Sequence, residues 1–576
     1  MRAVKFVNET GKEFSIEKTA VARINPGNCV NCGTCREVCP TGAIAEQQRI
    51  ICRVCPECTG KPGLAYGQMK ALATEKACTT GCPLGISPQG YINLTKAGKE
   101  KEAYQLVWDK NPLPSICSRI CHHPCEQNCK RGILVDSPIS IRSVKRYLSE
   151  NVEYTPEKYT RIHEERIAVI GAGPAGLTAG HYLGKAGYEV TVFEREAQAG
   201  GMLLRGIPEF RLDRRSVAEE IQKLIDAGLH IETGISISKN RIAQIQKEYD
   251  AVIVAVGAPE SKELPLEGRR MNGVMTAMEY LQQTNHGQEI MHHMAQCYDE
   301  NGAVVVIGGG SVAVDTARAA LRRGAAKVSV VCLESGEQVP AHPWELAEAK
   351  EEGIEFIEGV SPVCFCGDIR LNLTGVKLSR VISFEKDENG KISFTTDPED
   401  TQVLPAKWAI MAVGQSAEKS WRELQGENAS EKENQGQILV FAGDVNSAKC
   451  SVIDAMASGR RAALEVEQRL AGCAKKDPME THVLQEAPIE EKIYPQTKSK
   501  LLRAKAPMIP MEERLHTFHE VEGAYTKEQA LREVSRCLEC GYESVDPEKC
   551  IGCGTCQRSC PKKDAIVMVP FEGGAM

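Results

Sequence analysis

Short apolar runs that end in glycine recur along the middle of the chain, each followed by a stretch of helical character. The first, Ile167–Ile170, runs into the glycines of IAVIGAGPAG and opens onto the alanine-rich stretch Leu177 to Gly187, predicting strand, turn and helix. A second strand is predicted at Glu189 to Phe193 and a buried one at Ala251 to Ala258 (AVIVAVGA). The same unit returns in AVVVIGGGSVAVDTARAALRRG and is followed by a strand at Lys327 to Cys332. Such a series of strand–helix units predicts a multidomain α/β chain built on parallel sheets.

Both glycine turns fit the dinucleotide fingerprint. In the first, Gly171 permits the tight turn, Gly173 lets backbone N–H groups approach a pyrophosphate, and Gly176 lets the helix pack close. Pro174 and Ala175 open the helix, whose N-terminus stabilises the anion. Glu194, 23 positions after Gly171 and at the end of the second strand, is placed for the ribose hydroxyls of an adenosine, with Arg195 beside it. In the second turn Gly308, Gly310 and Ala313 give GxGxxA, and Ser311 opens the helix. A second dinucleotide is implied.

Outside these folds the chain is polar or rich in cysteine. Residues 1–24 read as a short strand or extended leader, Tyr91 to Lys110 as helical, Leu148 to Glu165 as a polar linker, and 285–300 as a polar helical connection holding His292, His293 and Cys297. Hydrophobic residues at 42% and charged residues at 26% are ordinary for a globular chain, and 576 residues allow two to four domains. A net charge of −7 gives no reason to expect nucleic acid. With no apolar stretch of 18 residues and no secretory start, the expectation is a cytoplasmic chain without membrane insertion.

Cysteine is the anomaly: 25 in all, thirteen of them between Cys29 and Cys129 and six between Cys537 and Cys560. Clusters of this kind in a cytosolic chain point to metal rather than disulfides. Cys29-x2-Cys32-x2-Cys35-x3-Cys39-Pro40 wraps three thiolates around a [4Fe–4S] cube, while the fourth closes that cluster or serves a neighbour. Zinc is the blander alternative, though its sites come as separated CxxC pairs. The motif resembles bacterial ferredoxin. Cys52, Cys55 and Cys58 begin another such half, but Pro62 stands where its fourth cysteine belongs. Cys78-x3-Cys82-Pro83 and Cys117, Cys121, Cys125 and Cys129 follow. Near the other end Cys550, Cys553, Cys556 and Cys560-Pro561 repeat the ferredoxin half. Cys537 and Cys540 are left to bind zinc, join a partner's ligands, or stay unligated.

The stretch from ACTTGC (77–82) to PISIRSVKRYL (138–148) resembles the helical two-cluster domain of glutamate synthase small chains, which also opens dihydropyrimidine dehydrogenases. The resemblance implies one cluster on Cys55, Cys58, Cys78 and Cys129, and Cys82, Cys121 and Cys125 as most of another. Relatives often complete the latter with a carboxylate or amide at the position of Lys145, which cannot bind iron, so Cys117 or Cys52 substitutes or the pairing differs. His122 and His123 are further ligand candidates, more often plain loop residues. Thirteen thiolates suffice for three clusters with one left over, giving three N-terminal clusters and one C-terminal.

The same resemblance continues through GGMLLRGIPEFRL (200–212), which places Gly201, Met202 and Leu203 along an isoalloxazine. Two nested nucleotide folds imply the two-dinucleotide flavoprotein architecture. Gly257 and Gly414 are added candidates at the nucleotide sites. Gly443 and Asp444, before AMASGRRAA, would approach the ribityl chain, making the first nucleotide FAD. In NADPH-using glutamate synthases an arginine pair occupies the positions of Leu333 and Glu334. Here Glu334 would bind ribose hydroxyls and repel a phosphate, which favours NAD(H), unless Arg322 or Arg323 supplies a phosphate contact. MIPMEERLHTFHEVEGAYTKEQALREVSRCLECG, near the C-terminal end here, resembles the N-terminal segment of those small chains.

The expected domain order is a ferredoxin-like [4Fe–4S] segment at 1–60, a helical iron–sulfur domain at 61–150, and an FAD-binding domain at 165–285 and 426–472. Within the latter sits an NAD(P)-binding domain at 286–425, and after it come a linker at 473–530 and a second ferredoxin-like segment at 531–576. No cysteine lies between Cys129 and Cys297, so electrons leaving the flavin should pass to iron–sulfur clusters rather than to a thiol pair. The implied role is an NAD(P)H:acceptor oxidoreductase subunit, working with ferredoxin or with the other redox subunits of a hetero-oligomeric complex. A bifurcating transhydrogenase, a hydrogenase and a formate dehydrogenase are examples. The alternatives are a glutamate synthase small subunit and a non-catalytic iron–sulfur relay or scaffold subunit.

Overall fold

The computed structural model describes residues 3–7, 13–17, 20–25, 28–48, 50–52, 78–134, 136–285, 302–387, 392–430, 438–446, 451–472, 491–493, 501–545, 549–550, 553–562 and 565–570. They form two compact units, one of residues 1–156, 467–506 and 524–576, the other of 157–466 and 507–523. Cys55, Cys58, Cys297 and the 286–301 connection lie outside the described residues.

In the second unit the apolar runs become two five-stranded parallel sheets. The first has the order Ile438–Phe441, Ala251–Val254, Arg166–Ile170, Glu189–Phe193 and His230–Glu232. The second runs Val274–Thr276, Trp408–Met411, Ala303–Ile307, Lys327–Val331 and Glu355–Ile357. The chain leaves the first sheet after Ala251–Val254, builds the second, and returns for Ile438–Phe441, so the folds are nested. Ile167 to Ile170 are at most 4% exposed, and each such side chain contributes roughly 1.5–3 kcal/mol by leaving water. A three-stranded antiparallel sheet, Val360–Gly367, Leu373–Lys386 and Ile392–Pro405, packs against the second parallel sheet through Phe365, Leu373 and Val376.

Helix Pro174–Ala186 begins with proline at its first turn, where a missing N–H costs nothing, and ends at Gly187 with φ +97°. Helix Ser311–Arg322 likewise starts from a glycine in extended conformation, Gly310. Part of the expected linker is ordered into this unit: Met508, Ile509, Phe518 and Val521 join the core of the second sheet.

In the first unit the two ferredoxin-like segments come together. Ala20–Ile24 pairs antiparallel with Ile566–Pro570, and Ile44–Gln48 pairs with Gly541–Val545. Helices Thr34–Glu37 and Thr555–Ser559 pack together, and Val21, Ile24, Ile44, Ala565 and Ile566 share one core. The two halves make a single ferredoxin-like body. Beside it stand helices Pro88–Lys96, Glu100–Trp108, Pro114–Ile120 and Ile141–Asn151. Helix Lys527–Ser535, capped by Thr526 and Gln529 in a reciprocal box, packs on the first and last of these. Arg536 is fully buried after it, paired with Glu533 at 2.6 Å and donating to the Leu501 and Ser137 carbonyls at 2.9 Å each. No helix among the described residues is long and apolar enough to cross a membrane.

Candidate functional site

The first glycine turn is shaped by close backbone approach. Gly171 has φ +104°, and a Cβ there would lie 2.5 Å from Ala255 O. A Cβ on Gly176 would lie 1.9 Å from Gly171 O, so helix and strand meet only through glycine. Gly173 faces open space, which leaves room for an anion at the start of helix Pro174–Ala186. Glu194, 5% exposed, accepts from Ala172 N and Glu196 N at 2.9 Å each, which fixes its carboxylate beside the turn. Arg195 is turned to Glu418, 2.8 Å away.

The returning chain closes over the same helix. A Cβ on Gly443 would lie 2.8 Å from Ala175 Cβ, and one on Gly459 2.1 Å from Ala175 O. Asp444 Oδ1 is buried with no hydrogen-bond partner, and burial with the nearby Asp454 raises this carboxyl to about 6. An orphaned acceptor beside an open glycine turn fits the hydroxyl-bearing chain of a flavin nucleotide. Gly201, φ +56°, precedes the short helix Met202–Arg205, and its Cβ would lie 3.0 Å from Gly173 Cα; Leu203 is buried. Gly257 and Gly414 both have positive φ, +71° and +102°.

The second turn repeats the design. Gly308 has φ +131° with a Cβ position 2.4 Å from Ala412 O, Gly310 is open, and Ala313 is buried. Ser311 Oγ donates to Glu345 Oε2 at 2.6 Å. Glu334 is buried, and its Oε2 would be 3.3 Å from a Cβ on Gly309, so its carboxylate lies at the phosphate turn. The rival arginines are engaged elsewhere. Arg322 forks onto Glu352 at 2.7 and 2.8 Å, and Arg323 stacks on Phe518 at 4.4 Å and donates to Thr284 O at 2.9 Å.

The cysteines gather in sets that cross the chain. Cys29, Cys32 and Cys35 line one cavity with Cys560, while Cys550, Cys553 and Cys556 line another with Cys39. Each fourth cysteine thus lies with the three close cysteines of the other half. A third cavity is lined by Cys78, Cys129, Cys537 and Cys540. Cys82, Cys121 and Cys125 are mutual electrostatic neighbours. Buried Lys145 faces Cys117 as well as these three. Of Cys52 the structure describes the backbone strand alone. His123 Nδ1 lies 2.7 Å from His122 O, and its backbone N–H donates to Cys121 Sγ at 3.3 Å.

Four thiols around each of three cavities suit a cube, and among the described residues no three His, Cys, Asp or Glu side chains close onto a single ion. Backbone N–H groups aim at the sulfurs, Ala43 at Cys39 (3.3 Å), Ala22 at Cys550 (3.4 Å) and Asn31 at Cys29 (3.4 Å). Burial pushes the Cys29 and Cys537 thiols up to about 12, so loading a cluster must displace protons.

The chain matches the pyridine nucleotide-disulphide oxidoreductase family over residues 165–443, the dihydropyrimidine dehydrogenase domain II, 4Fe-4S cluster, over 71–156, and the 4Fe-4S binding domain over 22–45 and 543–563. It is 30% identical to the beta subunit of NADP(+)-dependent formate dehydrogenase of Moorella thermoacetica, covering 80% of this chain and 70% of that one. Identity to the beta subunit of NADPH-Fe(3+) oxidoreductase of Geobacter sulfurreducens is 28%, over 80% and 75%. To the glutamate synthase [NADPH] small chain of Halomonas elongata it is 31%, over 62% and 77%.

Proposed function

The chain belongs to the glutamate synthase small-chain-like family of FAD- and iron–sulfur-containing NAD(P)H oxidoreductases, and we propose that within it this chain exchanges its electron pair with NAD(H). It relays single electrons to or from a ferredoxin or a catalytic subunit of a larger complex. Bound FAD joins the two-electron chemistry of nicotinamide to the one-electron chemistry of [4Fe–4S] clusters. The residues supply everything else. Gly173 and Gly310 open two helix N-termini to pyrophosphates, Glu194 holds the flavin nucleotide's ribose, and Asp444 accepts from its hydroxyls.

Four clusters are assigned. They are held by Cys29, Cys32, Cys35 and Cys560; by Cys39, Cys550, Cys553 and Cys556; by Cys78, Cys129, Cys537 and Cys540; and by Cys82, Cys121 and Cys125, with Cys117 the nearby thiol that replaces the ligand lost at Lys145.

The observation that supports NAD(H) is Glu334, buried at the phosphate turn, with Arg322 and Arg323 held by other partners. A 2′-phosphate there would meet a carboxylate at close range. The relatives are named for NADP(H), so this chain would differ from them in the nucleotide it uses. Anaerobic stopped-flow reduction of the loaded protein tests it. The wild type should favour NADH in kcat/KM by roughly tenfold or more, and Glu334→Arg should move the ratio toward NADPH by about 10–100-fold. A wild type that prefers NADPH rejects the specificity and leaves the relay intact.

A further inference from the structure

The segment from Gly200 to Leu212 starts in one nucleotide fold and ends inside the other. At its start Gly200 N–H donates to Ala172 O at 2.9 Å, beside the first glycine turn. At its end Phe210, 1% exposed, belongs to the core of the second sheet, with the guanidinium of Arg322 over its ring at 4.1 Å and that of Arg318 at 5.2 Å. Arg211 then donates from Nη1 to both carboxylate oxygens of Asp315 at 2.8 Å and pairs through Nη2 with Glu345 at 2.9 Å. Asp315 lies on helix Ser311–Arg322, whose N-terminus opens from the second glycine turn. Glu345 also holds Ser311, the first residue of that helix. From another side Val521 N–H donates to Phe210 O at 3.0 Å.

Buried ion pairs contribute little net stability, because desolvation offsets their attraction. What a guanidinium fork shared by two carboxylates does provide is a fixed geometry. Fixed geometry matters here, since a reaction between two bound molecules loses about a hundredfold in rate for a misplacement of about 1 Å. We propose that Arg211, acting through Asp315 and Glu345, is a positioning residue for the hydride step: it sets the separation of flavin and nicotinamide without touching either. The inference rests on both fingerprints holding their nucleotides as assigned.

Arg211→Lys and Asp315→Asn, each loaded with FAD, are compared with wild type in single-turnover flavin bleaching by NADH and NADPH. Nucleotide affinity, the long-wavelength flavin–nicotinamide charge-transfer band and the thermal midpoint are read alongside. Bleaching should slow by about 10–100-fold and the charge-transfer band weaken, with nucleotide affinity within about threefold and FAD retained. Arg211→Lys, which keeps the charge but loses the fork, should be the slower if geometry rather than charge is at stake. An FAD-replete Asp315→Asn that bleaches at the wild-type rate overturns the proposal, as does a slowing matched by equal loss of affinity or of thermal midpoint. If the lysine variant does not fold, Asp315→Asn alone decides. A wild type that neither nucleotide bleaches overturns the nucleotide assignment, and the proposal with it.

Discussion

Burial holds the Asp444 carboxyl near pKa 6 in the flavin-free protein, above the usual aspartate value. A raised folded value means that folding favours the proton: the stabilisation is complete below about pH 4 and is lost as pH rises through about 6. Flavin-free protein should therefore lose up to about 3 kcal/mol between pH 4 and pH 7, and Asp444→Asn should flatten that part of the curve. Thermal midpoints across the range, read on the stripped protein, check it. At this scale much was legible beforehand. Gly171, Gly173, Gly176 and Glu194 declare themselves through local spacing, because a tight turn and a close helix need glycine wherever they occur. The fate of Arg322 and Arg323 was not legible. Their partners, Glu352 and Phe518, lie 30 and 195 positions away, and no local pattern relates them.

At the scale of elements, the two ferredoxin motifs could be recognised separately but not joined. Each has three close cysteines and a fourth before proline, a spacing equally compatible with closing its own cluster or serving a neighbour. The pairing of Ala20–Ile24 with Ile566–Pro570, driven by apolar contacts across more than five hundred residues, brings the two motifs together and supports the exchanged assignment proposed above. The exchange has a sharp consequence for substitution. Cys560→Ser should abolish the cluster of Cys29, Cys32 and Cys35 while that of Cys550, Cys553 and Cys556 survives, and Cys39→Ser should do the reverse. Iron content, falling by about four per chain, together with the loss of one EPR component of the dithionite-reduced protein, distinguishes this from self-contained halves, for which the losses would be swapped. The neighbours of the helical domain were hidden for the same reason: Cys537 and Cys540 line a cavity with Cys78 and Cys129, and nothing local links them.

At the scale of the whole molecule, one of the two units is drawn from three separate stretches of chain, and residues 537–560 complete three of its cysteine sets. A chain stopped after Arg536 should therefore lose about twelve irons rather than four, keeping only the set built on Cys82, Cys121 and Cys125. Iron analysis of the purified truncated chain measures it, and its flavin content should be unchanged, because the residues of the first sheet all precede the stop.

Crossed ligands also impose an order of events during synthesis. As the chain leaves the ribosome, Cys29, Cys32, Cys35 and Cys39 emerge more than five hundred residues ahead of Cys550, Cys553, Cys556 and Cys560, which line the same cavities. Until those residues are made these thiols have no finished site to enter, while both nucleotide folds already have all their strands. On this assignment, iron insertion at three of the four sites waits for residues 537–560, and a ribosome that stalls short of Cys537 yields a flavoprotein with one cluster in place of four.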